Sequence, residues 1–307
     1  MIRGCRRCFL AALTCLSISH VHAGPEPGAS LDEVTVTAHK QIDPYTLDHV
    51  VVPQFVASHG TPGERIDQIG RWVEDICADT HGLQPLYNEF VSRRVIAVAR
   101  FVGAPVPHAG HCVTNTDIIF SDSPQDLLDR IARNSPEILG YSKKRADLRT
   151  LHHPIEARYV TGTRSFTTLT TSVDGHTPTI RGGLNIDNPW DPVIGQAGSH
   201  LGHHNRSEFA RVTVIVDLSA LREHTLQSIA DYIAMLVLTR TGLDGCNALS
   251  SILDLLSPDC GGRPPPSSIT DADLAYLKAL YASNLEVRLN LERGELHDRM
   301  LRAIRNP

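Results

Sequence analysis

Two stretches stand out for their apolar density. Residues 212–218 (VTVIVDL) are rich in β-branched residues and predict a strand at the centre of a sheet. Residues 226–239 are apolar nearly all round, through Ile229, Ala230, Ile233, Ala234, Leu236, Val237 and Leu238. That pattern predicts a helix buried in the middle of a domain. Other helices show one apolar stripe. Residues 83–102 carry Leu86, Phe90, Val91, Val95, Val98 and Phe101, and Gly103-Ala104-Pro105 stops them. Thr61-Pro62-Gly63-Glu64 reads as a helix start, followed by Ile66, Ile69, Trp72, Val73 and Ile76 at helical spacing. Ser123-Pro124-Gln125-Asp126 caps a helix to Asn134, and Thr270-Asp271-Ala272-Asp273 opens one through Tyr281. A shorter helix is expected near 249–256 and a last amphipathic one at 294–305.

Strand patterns lie between these helices. Residues 117–120 and 155–161 read as strands, the second by alternation of Ile155, Ala157, Tyr159 and Thr161 with Glu156, Arg158 and Val160. Residues 45–56, with Val50, Val51, Val52 and Phe55, read as a strand or an extended arm. Residues 163–204 are rich in Gly and His without helical period, and short strands are expected at 167–173 and 179–184. Helices, then strands, then helices make an α+β pattern. The expectation is one globular domain over 46–307, with a small sheet around 212–218 and a helical C-terminal part.

The N-terminus sets the compartment. Arg3, Arg6 and Arg7 precede an apolar run at 8–18 that is shorter than the roughly 20 residues a membrane helix needs. Val21-His22-Ala23 then offers small residues at the cleavage positions, so residues 1–23 read as a secretory signal peptide. Residues 24–45 read as a flexible leader. Three arginines and no acid leave with the signal, which takes the formal charge from −5 to −8. Nucleic acid and anionic membrane surfaces become poor partners for so acidic a chain.

Cys77, Cys112, Cys246 and Cys260 remain after cleavage. An even number in an oxidising compartment reads as two disulfides. Of three possible pairings, Cys77–Cys112 and Cys246–Cys260 are favoured because each closes a local loop. Close CxxC pairs of the kind zinc requires are absent among these four.

Several segments resemble an uncharacterised family of exported bacterial proteins. They are Trp72…Cys77, the helix ending in Gly-Ala-Pro, Cys112…Asn115, Tyr159-Val160-Thr161, Asp231-Tyr232-Ile233-Ala234-Met235, Ser251-Ile252-Leu253-Asp254 and Ala279-Leu280-Tyr281. The resemblance implies export, an α+β body and paired cysteines, and supplies no catalytic residues. A more distant likeness to zincin-like proteins falls on residues 226–239. Zincin chemistry needs two His one helical turn apart with a Glu beside the first. No His-Glu dipeptide occurs in the chain, and that helix carries Asp231-Tyr232 and Met235 instead.

The remaining chemistry is sparse. His200, His203 and His204 lie near Asn205 and Glu208, His108 and His111 flank Cys112, and His152 and His153 are adjacent. Such groups lack the fixed i, i+4 geometry of a helical metal site, and solvated loop histidines are the plainer account. Asp187, Asn188 and Asp191 lack the alternation and Gly of a calcium loop. Gly182-Gly183 has no phosphate-loop context, and there is no G-x-S-x-G elbow. No catalytic residue, metal or cofactor is therefore assigned. An exported protein that acts by binding is the favoured reading. A hydrolase, metal-dependent or not, with its site in residues 163–204, is the alternative.

Glu33-Val34-Thr35-Val36-Thr37-Ala38, within residues 31–40, resembles the TonB box of outer-membrane receptors. Val and Thr favour extended backbone, and an unpaired extended segment can add itself to the sheet edge of a partner. The resemblance implies docking on a TonB-like envelope protein. A strand of the protein's own sheet is the competing role. The chain has no series of membrane strands, so it does not read as a transporter.

Overall fold

The computed structural model describes residues 42–63, 66–108, 112–142, 144, 146–165, 171–174, 205–242, 246–257, 260, 262–284 and 287–305. The expected signal peptide, the expected leader up to residue 41, the box-like segment and the expected 179–184 strand lie outside them, as does all but the end of the expected 167–173 strand; residues 42–45, read as leader, instead belong to the folded unit, with Asp43 and Pro44 starting a helix. Residues 42–307 form one compact unit.

The architecture is α+β. A five-stranded mixed sheet has the order β1-β2-β5-β3-β4, made of Ala78–His81, Thr116–Ser121, Asn205–Asp217, Ile155–Ser165 and Thr171–Val173. The strand read as central is β5. It runs parallel to β2, which is parallel to β1, and antiparallel to β3. Its alternation divides two cores. Val212, Val214 and Val216 join the main cluster, while Ile215 meets Leu128, Ala132 and Leu139 in a smaller one.

The helices are α1 (Pro44–Thr46), α2 (Val52–His59), α3 (Pro85–Val102), α4 (Pro124–Asn134), α5 (Leu226–Leu238), α6 (Asp271–Ala282) and α7 (Leu289–Arg305). No helix among the described residues is long and apolar enough to cross a membrane. The all-round apolar helix is α5, and every residue from Ser228 to Leu238 is buried. Burial leaves its last carbonyls without water, so side chains must satisfy them. Tyr159 Oη donates to Leu236 O at 2.7 Å, Trp72 Nε1 to Val237 O at 2.8 Å, and Tyr281 Oη to Leu238 O at 2.8 Å.

Some elements differ from the sequence expectation. Residues 45–56 are helical: Asp43 caps Thr46 N, Pro44 sits in the first turn, and a π-helical run, Leu47–Val51, leads into α2. Their valines read as a strand, yet Val51, Val52, Phe55, Val56 and His59 bury one helical face. The helix expected after Thr61 does not form, although Ile69, Trp72 and Ile76 are buried. The backbone there bonds to distant segments, with Thr61 N donating to Arg240 O, Ile76 N to Pro105 O, and Arg71 O accepting from Phe209 N. At Gly70 an added Cβ would lie 2.7 Å from the Phe209 ring, so the close approach needs glycine. Strand β1 follows this segment and was not expected. On α3, Leu86 and Phe101 are exposed rather than part of the buried stripe. The shorter helix expected near 249–256 is the 3₁₀ run Ile252–Leu256, and α7 begins earlier than expected, at Leu289.

Candidate functional site

The sequence candidates scatter. His108 is exposed, and the backbone N–H groups of His152 and His153 donate to Glu156. Glu208 pairs with Arg206 at 3.2 Å on β5, and Asn205 is buried at the start of that strand. His111, His200, His203, His204, Asp187, Asn188 and Asp191 lie outside the described residues, as does most of the 163–204 segment. The Asp231 motif is structural: Arg94 donates to it through Nε and Nη2 at 2.5 and 3.1 Å, and Gln227 and the backbone of Ile269 add two more donors. This carboxylate ties α3, α5 and the start of α6 together.

A Ser–His–Asp group does assemble, from residues the sequence analysis passed over. His59 Nε2 lies 3.0 Å from Ser251 Oγ, which donates to Asp273 Oδ1 at 2.6 Å. His59 Nδ1 lies 2.9 Å from Phe55 O. A catalytic triad needs the base between nucleophile and acid, and an open face on the nucleophile. Here the serine stands between the other two. All three side chains are buried. Ser251 and Asp273 also act as caps: Ser251 begins the 3₁₀ turn Ile252–Leu256, and Asp273 completes the capping box of Thr270. Burial pushes the His59 pKa down to about 4 and raises that of Asp273. The cluster clamps α2, the 3₁₀ turn and α6.

A cavity of about 650 Å³ opens beside this clamp. It lies past the carboxyl end of β5, where the chain turns through the 3₁₀ run Leu218–Arg222. Ligands of sheets with parallel strands commonly bind beyond the strands' carboxyl ends. Arg222, His224, Ser250, Asp254, Cys260 and Arg263 are among the lining residues.

Asp254 is placed by local sequence. Ser251-x-x-Asp254 is a capping box, and Ser251 N donates to Asp254 Oδ2 at 3.2 Å. Oδ1 is buried and has no hydrogen-bond partner. Burial raises the Asp254 pKa, against the Ser251 N–H and the Arg263 charge. Arg263, 3.8 Å from Oδ2, clasps the loop by donating to Cys260 O, Ala248 O and Asn247 O.

Both disulfides are present, Cys77–Cys112 and Cys246–Cys260. The sulfurs of Cys246 and Cys260 and a carboxylate oxygen of Asp254 all lie within 4.8 Å of one another. This is the group among the described residues with the composition of a metal site. Metals take the thiolate form of cysteine, so the disulfide-bonded sulfurs do not serve. The Ser-x-x-Asp pattern could have marked Asp254 as a cap. Nothing in the sequence placed it against the sulfurs.

No protein-family model, curated protein or solved structure matches this chain.

Proposed function

We propose that this is an exported envelope protein that acts by binding, and that Glu33–Ala38 docks it on a TonB-like partner. One observation carries the reading. Val34, Thr35, Val36 and Thr37 are all β-branched, and such a run favours the extended backbone that adds to a partner's sheet edge. Two disulfides fit an oxidising compartment. The buried polar groups support binding over catalysis, because His59, Asp231, Ser251 and Asp273 are spent on holding elements together.

The test is titration of the mature protein against the periplasmic domain of a TonB-like protein, followed by calorimetry. Wild-type protein binds, and Val36→Pro abolishes binding by removing a backbone donor from the added strand. Equal binding by the two proteins, or none by the wild type, refutes the docking role.

A further inference from the structure

We propose that Cys246–Cys260 is a thiol–disulfide exchange centre that accepts two electrons from a dithiol, with Asp254 supplying the proton to the departing Cys260 sulfur. The inference is independent of the docking reading.

Three observations converge on it. Cys246 is exposed, while Cys260 is partly covered and borders the cavity, so an incoming thiolate reaches the Cys246 sulfur and Cys260 departs. Asp254 holds a carboxylate oxygen within 4.8 Å of both sulfurs, and its Oδ1 has no partner of its own. Cys260 and Asp254 both line the cavity, so the leaving sulfur and its acid face one space, with Arg222, Glu223, His224 and Arg263 also on the wall. Exchange is faster when the leaving sulfur departs more readily. A neighbouring acid has that effect, and the raised pKa of Asp254 keeps its proton to a higher pH than an ordinary carboxylate would. Among the described residues, no carboxylate or histidine completes a comparable group with the sulfurs of Cys77 and Cys112.

The step balances. A thiolate of the dithiol bonds to the Cys246 sulfur, the Cys246–Cys260 bond breaks, and the Cys260 thiolate takes the Asp254 proton. The second thiol of the dithiol loses its proton to the Asp254 carboxylate. It then attacks the sulfur of its own molecule in the mixed disulfide and releases the Cys246 thiolate, which is protonated by solvent. The dithiol is oxidised to a disulfide, and the protein gains two electrons and two protons.

The second disulfide is an internal reference. Oxidised mature protein is treated with limiting dithiothreitol, quenched in acid, alkylated and mapped. Cys246 and Cys260 are expected to be labelled while Cys77–Cys112 stays closed. Opening of Cys77–Cys112 first, or of both at equal rates, overturns the proposal. Asp254→Asn keeps an acceptor for Ser251 N and removes the acid. It should slow opening of Cys246–Cys260 by about a hundredfold, the low end for proton-transfer catalysis, with the Cys77–Cys112 rate unchanged. An unchanged rate in the folded variant overturns the role of Asp254. Should the variant fail to fold, the competition in wild-type protein decides alone.

Discussion

Glu292→Gln isolates the charge of a buried ion pair. Arg71 and Glu292 are 3% and 2% exposed, and Arg71 Nη2 contacts Glu292 Oε1 directly. Glu292 Oε2 also accepts from Ile69 N at 3.0 Å. Arg71 Nη1 donates to Leu280 O and to Ser283 Oγ, so one guanidinium joins the irregular segment before β1 to α6 and α7. Glutamine keeps the shape and an acceptor, so no cavity forms and Ile69 keeps its bond. What is lost is the counter-charge, together with the acceptor that faced Arg71 Nη2. Breaking a buried pair from one side costs about 3–5 kcal/mol, because the remaining charge stays buried. The expected loss is about 3 kcal/mol, the low end, since the amide still hydrogen-bonds. For a body of this size that lowers the midpoint by about 6–12 °C. Urea unfolding with both disulfides intact, followed by circular dichroism and tryptophan fluorescence, measures it. Arg71→Met in the Gln background should recover part of the loss, because no unpaired charge remains. A Gln variant within about 0.5 kcal/mol of wild type, the range of ordinary surface changes, or strict additivity in the cycle, refutes the argument.

Two further outcomes follow from buried polar groups. Tyr281→Phe strands the Leu238 carbonyl at the end of α5, and should cost about 1–3 kcal/mol with little change in m-value; no change would mean that water reaches that carbonyl. With the His59 pKa depressed to about 4, the unfolded chain gains a proton below pH 6.5 that the folded chain refuses, so stability falls by up to about 3 kcal/mol between pH 6.5 and 4. Asp273 opposes this: its raised pKa lets the folded chain take up a proton before the unfolded one does, which adds stability as pH falls. Asp273→Asn removes the opposing contribution and should steepen the acid loss of stability, measured as urea midpoints from pH 7 to 4; parallel curves for variant and wild type contradict the opposition.

What could be read from the sequence follows from where each residue finds its partners. The strand β5 and the helix α5 were legible because their burial is continuous along the chain, so composition alone marks them. The segment before β1 was not. Ile69, Trp72 and Ile76 are as buried as any helix stripe, but Ile69 N bonds to Glu292, Ile76 N to Pro105 O and Thr61 N to Arg240 O, and no local period records that. The first helix was masked by its valines, whose β-branched character speaks for extended chain while Asp43 and Pro44 speak for a helix start.

The cavity shows the same division between local and distant information. Its disulfide was legible from loop closure, and Asp254 could have been placed as a cap. A capping box uses one carboxylate oxygen, toward the backbone N–H of Ser251. The other oxygen must point elsewhere. In a solvated turn it would face water. Here the Cys246–Cys260 loop folds back over the turn, clasped by Arg263, and leaves that oxygen dry. A buried carboxylate oxygen without a donor is costly while ionised and is relieved by a proton. The cap that fixes Asp254 in place therefore also raises its hold on a proton, beside the Cys246–Cys260 bond.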